Sequence, residues 1–140
     1  MNVKLTVLPI DSLRTASPFK DLMPSDKKVI ARIAECMKRT GYDSAWPISV
    51  WAGHDNTVVD GHLRLAAARL AGLKSVLVAE CEFKTEEDAC LYSLHHNVFR
   101  GHYTDAELDK ILECASYAAL ENRLKRLLRN FHAVTVEVVL

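Results

Sequence analysis

The chain has 140 residues, 49% hydrophobic and 26% charged, with 18 basic and 18 acidic side chains and a formal net charge of +0. Length and balance fit one compact domain with a core of its own. They exclude a disordered polyelectrolyte, a membrane-spanning run and any chain-wide pull toward nucleic acid or anionic lipid. Residues 1–6 lack the apolar stretch of a signal peptide, so a cytoplasmic location without a membrane partner is expected. Cys36, Cys81, Cys90 and Cys114 form no C-x-x-C pair and read as buried, reduced thiols.

Val3 to Ile10 alternates loosely and predicts a first strand. Leu13 to Pro24 carries Ser17-Pro18 and Met23-Pro24 and reads as a loop. Ser25 is the expected cap of a helix running to about Thr40, with a stripe of Val29, Ile30, Ile33, Cys36 and Met37 and a stop at Gly41. Trp46 to Trp51 reads as a second strand. Gly53-His54-Asp55-Asn56 supplies turn chemistry, and Thr57-Val58-Val59 completes a hairpin. A helix is expected from His62 to Ala71, stopped at Gly72, with Leu63, Ala66, Ala67 and Leu70 as its apolar face. Val76 to Cys81 is a fourth strand.

Thr85-Glu86-Glu87-Asp88 has the form of a capping box for a helix ending near Asn97, and Thr104-Asp105-Ala106-Glu107 is a second. Helical pattern then continues to Asn130, as one long helix or two. Its stripes are Leu108, Ile111, Leu112, Ala115 and Leu120, Leu124, Leu127, Leu128, Phe131. From His132 the period changes to two, with Val134, Val136 and Val138, as in a strand. The expected fold class is α+β: a small mixed β-sheet with packed helices and a helical C-terminal extension. A core over 1–103 and an extension over 104–140 form one compact unit.

Val58-Val59-Asp60-Gly61-His62-Leu63-Arg64 carries the chemistry. A strand here turns into a helix, whose first N–H groups have no internal acceptor and attract anions. Gly61 lets a ligand approach the backbone. Arg64 offers a fork of donors to phosphate, and His62 stands at the helix mouth. On spacing alone the plainer reading is stronger: Asp60 caps the helix, Gly61 makes the turn and Arg64 pairs with a surface carboxylate.

The ordered set Pro47-Ile48-Ser49-Val50, Val58 to Ala68, Ala71-Gly72-Leu73 and Val76-Leu77-Val78 resembles the core of the ParB/sulfiredoxin superfamily. The resemblance covers residues 3–108 and is sharpest at 47–78. It implies nucleotide chemistry. ParB-type domains bind CTP with a metal ion and several hydrolyse it; sulfiredoxins use ATP; a related branch phosphorylates free serine. The turn Asp60, Gly61, His62, Leu63, Arg64 matches the family's phosphate site, with Arg64 as its arginine. His62 stands where sulfiredoxin has a reactive cysteine, and Leu63 where ParB has a further arginine.

His95 to His102 is the densest polar cluster. A helix end where imidazoles and Arg100 meet the dipole accounts for it, and zinc is a minority reading because His95 and His96 are adjacent. The resemblance implies more: Asn97 and Arg100 match the family's E-N-x-x-R segment, whose acid and amide serve metal and phosphates. His96 replaces the acid, and imidazole suits Mg²⁺ poorly, so Mg is a doubtful cofactor beside CTP, ATP or ADP. Arg123, Lys125, Arg126 and Arg129 form a basic helix stretch that suits either solvent or DNA phosphates.

Three functions follow. The first is a nucleotide-binding ParB-like domain linked to partition or a mobile element, with slow CTPase, ATPase or phosphotransferase activity left open. The second is a DNA-binding or nuclease-like module. The third is a non-catalytic homodimeric interaction protein that keeps the fold.

Overall fold

The computed structural model describes residues 2–22 and 25–99. Four strands, β1 (Val3–Pro9), β2 (Ile48–Trp51), β3 (Thr57–Asp60) and β4 (Ser75–Cys81), form one sheet in the order β1-β4-β2-β3. β1 pairs antiparallel with β4, β4 parallel with β2, and β2 antiparallel with β3, so the sheet is mixed as expected. Three helices accompany it: α1 (Lys27–Thr40), α2 (His62–Leu70) and α3 (Glu86–Phe99).

The sheet separates two cores. On one face Ile48, Val50, Val58, Val76 and Val78 meet Ala34 and Met37 of α1 and Leu65, Ala67 and Ala68 of α2. On the other, Trp51 and Val59 meet Ala89, Cys90 and Leu94 of α3 together with Phe19 and Leu22. Each large apolar side chain buried this way contributes about 1.5–3 kcal/mol. Alternation along β1 leaves Val3, Leu5 and Val7 exposed on the α3 side of the sheet, opposite Cys81, Ala79 and Leu77.

Several local expectations are corrected. Asp26, not Ser25, caps α1, because its carboxylate reaches the Lys28 amide at 2.8 Å. The stretch read as plain loop, Leu13 to Pro24, holds a 3-10 turn at Phe19–Asp21, and Ile10, expected to end the first strand, instead opens another at Ile10–Ser12; the two turns plug Ile10 and Phe19 into the two cores. The buried face of α2 is Leu65, Ala67 and Ala68, about a residue's rotation from the expected face, and Leu70 is exposed. α1 and α2 pack against each other as well as the sheet, which turns Ala68 rather than Leu70 inward. Thr85 caps α3 through its hydroxyl, which accepts from the Asp88 amide at 3.1 Å. Gly72, at φ 76°, ends α2 as expected, with the Leu73 amide donating to the Ala68 carbonyl at 3.0 Å.

Cys36 is exposed, contrary to the expectation of buried thiols, because α1 presents it on its solvent side; Cys81 and Cys90 are buried. Burial pushes the Cys90 thiol up to about 12, with Glu86 and Glu87 adding to the effect. A disulfide reagent is therefore expected to modify Cys36 under native conditions, and Cys81 and Cys90 only as denaturant opens the core. Following thiol release in a Cys114→Ser background checks this; equal native rates for all three would contradict the burial described.

Among the described residues no helix is long and apolar enough to cross a membrane. The extension expected over 104–140, with its basic residues and valine-rich stretch, lies outside the described residues, as do Cys114 and the Arg100 side chain.

Candidate functional site

β3 delivers the chain to the mouth of α2 through a single residue. Gly61 takes φ 103° and ψ 23° and precedes the first helical residue, with no side chain capping the helix. A Cβ here would lie 3.2 Å from Ile48 Cγ1 and 3.3 Å from Ile48 Cα, so both conformation and space call for glycine. The helix start is left with donors aimed outward and no internal acceptors.

Asp60 does not cap the helix. It is 4% exposed, and its carboxylate turns sideways. One oxygen lies 3.4 Å from Arg64 Nη2, and the other accepts from Asn97 Nδ2 at 3.0 Å. Arg64 also donates through Nη1 to the Pro47 carbonyl at 3.0 Å. The carboxylate that Arg64 pairs with is thus buried and not at the surface, and the guanidinium is a largely buried strut tying β2, β3 and α2 together. Tyr42 lies beside it. Burial pushes the Tyr42 hydroxyl up, and Arg64 opposes through its charge and a hydrogen bond.

A cavity of about 570 Å³ opens in front of the helix mouth. Gly61, His62, Leu63 and Arg64 form one wall, and Asp60, Ser93 and Asn97 form its floor on the α3 side. Thr15 and Lys20 from the first long loop, Ser25 before α1, and Trp46 before β2 form the rim. So the structure brings Asp60, Gly61, His62, Leu63, Arg64 and Asn97 to one cavity. Thr15, Lys20, Ser25, Trp46 and Ser93 were not foreseen. The apolar Phe19 inside a Pro-containing loop is the one sequence signal that this loop returns to the body and carries Lys20 with it.

His62 Nε2 is buried and has no hydrogen-bond partner. Burial holds the imidazole below its ordinary value, with the Asp60 and Asp21 charges acting the other way. A neutral ring at neutral pH with an unused nitrogen in a cavity wall is suited to a ligand oxygen.

His96 lies elsewhere. With His95, Tyr92 and Ser49 it lines a second cavity of about 540 Å³, behind the Asp60–Arg64 strut. Its ring packs on Tyr92 at 4.1 Å, and the Tyr92 hydroxyl pairs with Ser49 Oγ at 3.1 Å. Burial pushes the Tyr92 hydroxyl up to about 12, with the Ser49 bond opposing. His96 thus does not face the helix mouth together with Gly61.

A Mg²⁺ ion needs several hard oxygen donors. Among the described residues lining the helix-mouth cavity, Asp60 is the one carboxylate, and both its oxygens are engaged. No group of three metal-ligating side chains forms among the described residues. This donor set does not fit a Mg²⁺ site supplied by the protein.

Fold and site together define a small mixed-sheet domain with an uncapped helix start facing a cavity lined by both apolar and polar side chains. No family model matches the chain, and no curated protein matches it in sequence. Solved structures do. The pNOB8-like ParB N-domain is similar at TM-score 0.63 and 22% identity, over 80% of this chain and 42% of that one. The C-terminally truncated chromosome-partitioning protein ParB from Caulobacter crescentus, complexed with CTP-γ-S, is similar at TM-score 0.61 and 20% identity, over 79% of this chain and 61% of that one. Sulfiredoxin from Arabidopsis thaliana is more distant, at TM-score 0.48 and 17% identity, over 65% of this chain and 97% of that one. The chain has the fold of the ParB N-domains to which it is similar, and spans about half the length of those ParB chains.

Proposed function

We propose that the chain binds a nucleotide by its phosphates at the mouth of α2, between Gly61–Arg64 and Lys20. The observation that carries this is the uncapped start of α2, opening into a cavity where His62 Nε2 is buried without a partner. Anions suit such a site through the helix dipole and free N–H groups. CTP is the first candidate, since the Caulobacter crescentus ParB of the same fold is complexed with CTP-γ-S, with ATP and ADP next. Asp60 and Asn97 shape the floor rather than contact phosphate. The reading stops at binding, because the floor carboxylate is already engaged and, among the described residues, no second one lines the cavity. DNA contact through Arg123, Lys125, Arg126 and Arg129, and a homodimer through the C-terminal leucines, rest on residues outside those described.

Calorimetric titration with CTP, ATP and ADP tests the proposal. No binding by the wild type at millimolar nucleotide sinks it. Lys20→Ala, at an exposed position, is expected to weaken binding without loss of fold.

Binding is also expected to depend on pH through His62. A phosphate beside the ring favours its protonated form, so affinity should rise as pH falls through the ordinary imidazole value of about 6.5 toward the lowered value of the unliganded ring. One proton taken up sets the limit, about tenfold per pH unit. His62→Gln should flatten this slope relative to wild type. The sign for stability is opposite. The folded-state value lies below the ordinary value of about 6.5, so the unfolded chain binds more protons just below it. Stability without ligand is full above that value, and falls as pH drops through it toward the folded value.

A further inference from the structure

We propose that Trp46 is a stacking platform for the planar base of the nucleotide, an inference that rests on the phosphate reading above. Among the described residues Trp46 is the exposed Trp, Phe or Tyr, with half of its surface open at 50%. It lines the helix-mouth cavity together with Gly61 and Arg64.

The loop that carries it is pinned. The Trp46 amide donates to the Asp43 carbonyl at 3.2 Å, and the Trp46 carbonyl accepts from the Tyr42 hydroxyl at 2.5 Å. The next carbonyl, that of Pro47, is held by Arg64 at 3.0 Å. The same guanidinium that braces the phosphate wall therefore braces the backbone beside the indole. A half-exposed indole on a backbone held in this way, one residue from the Arg64 strut, is positioned to receive a flat ring.

The other tryptophan shows the contrast. Trp51 is buried, stacks on His54 at 3.7 Å between ring centroids, and donates Nε1 to the Phe83 carbonyl. Core packing accounts for its indole, whereas the indole of Trp46 stands half open at a cavity rim. Stacking tolerates any base because every base has a π-face. Trp46 thus assigns the ligand class as nucleotide rather than bare phosphate, and leaves the choice among bases to other contacts.

The test compares CTP, ATP and tripolyphosphate on the full chain, wild type and Trp46→Ala, by calorimetry, with a thermal melt to confirm folding. Trp46→Ala is expected to weaken CTP and ATP by about tenfold or more and to leave tripolyphosphate unchanged. Trp46→Phe should restore most of the loss. Nucleotide should also quench tryptophan fluorescence in wild type but not in Trp46→Ala, where Trp51 remains. Equal weakening of nucleotide and tripolyphosphate assigns Trp46 a merely structural role and overturns the proposal, as does no weakening of either. If wild type binds tripolyphosphate as tightly as nucleotide, the stacking fails while the phosphate site stands. If it binds neither, both fail.

Discussion

Replacing Asp60 with alanine is expected to lower folding stability by about 3–5 kcal/mol, the usual loss when one partner of a buried ion pair is removed. Side-chain exposure is 5% for Asp60 and 13% for Arg64, so solvent cannot take over for the missing carboxylate. Asn97 loses one acceptor but keeps the Ser93 carbonyl at 2.7 Å. Arg64 keeps the Pro47 carbonyl, yet its largely buried charge loses the Asp60 counter-ion. Urea unfolding checks the effect: the midpoint should fall while the slope stays constant. Asp60→Asn, which keeps the shape and one acceptor oxygen, should cost less. A loss below about 1 kcal/mol for Asp60→Ala would place the pair with exposed ion pairs and contradict the strut. Replacing Asp60 and Arg64 together by apolar residues is expected to cost less than the sum of the single changes, because no buried charge is then orphaned.

Gly61→Ala is expected to cost about 1–3 kcal/mol of stability through backbone strain, since φ 103° is a conformation alanine rarely adopts. Crowding adds to this. The new methyl would press on Ile48 Cγ1 and on Arg64 Nη2, each at 3.2 Å. Gly41→Ala is the control, at φ 78° with no atom within 4 Å of the place its methyl would take. Gly41→Ala is strained without crowding but in a different backbone region, ψ −169° against 23° at Gly61, so the two losses are read separately in parallel denaturation curves. A loss below about 1 kcal/mol for Gly61→Ala would contradict the strain described. Because the methyl projects beside the phosphate wall, Gly61→Ala should also weaken nucleotide binding, whereas Gly41→Ala should not.

Local patterns carried most of the fold. Gly41 and Gly72 marked helix ends, Thr85 marked the start of α3, and the β-branched pairs Val58-Val59 and Val76 to Val78 marked strands. What was missed depends on contacts between segments distant in sequence. Lys20 reaches the site because Phe19 and Leu22 are buried against α3, and nothing local to Lys20 reveals that. Asp26 and Ser25 are both good caps, and only the actual entry angle of the chain chose between them. The Asp60–Arg64 spacing of four is that of any helix-surface ion pair. That it is buried follows from Pro47 and Asn97, which close over it from other elements. His96 was placed near Gly61 by its neighbour Asn97, but adjacent helical residues project about 100° apart, and the two face different cavities.

β1 holds to the sheet through β4 alone, and Val3, Leu5 and Val7 have no described cover on their own face. Its seven paired residues along β4 nevertheless make the longest ladder in the sheet. None of its residues lines the helix-mouth cavity. The sheet thus carries β1 at one edge and the strand that presents Gly61 at the other, so changes to the exposed face of β1 are expected to leave the helix mouth intact.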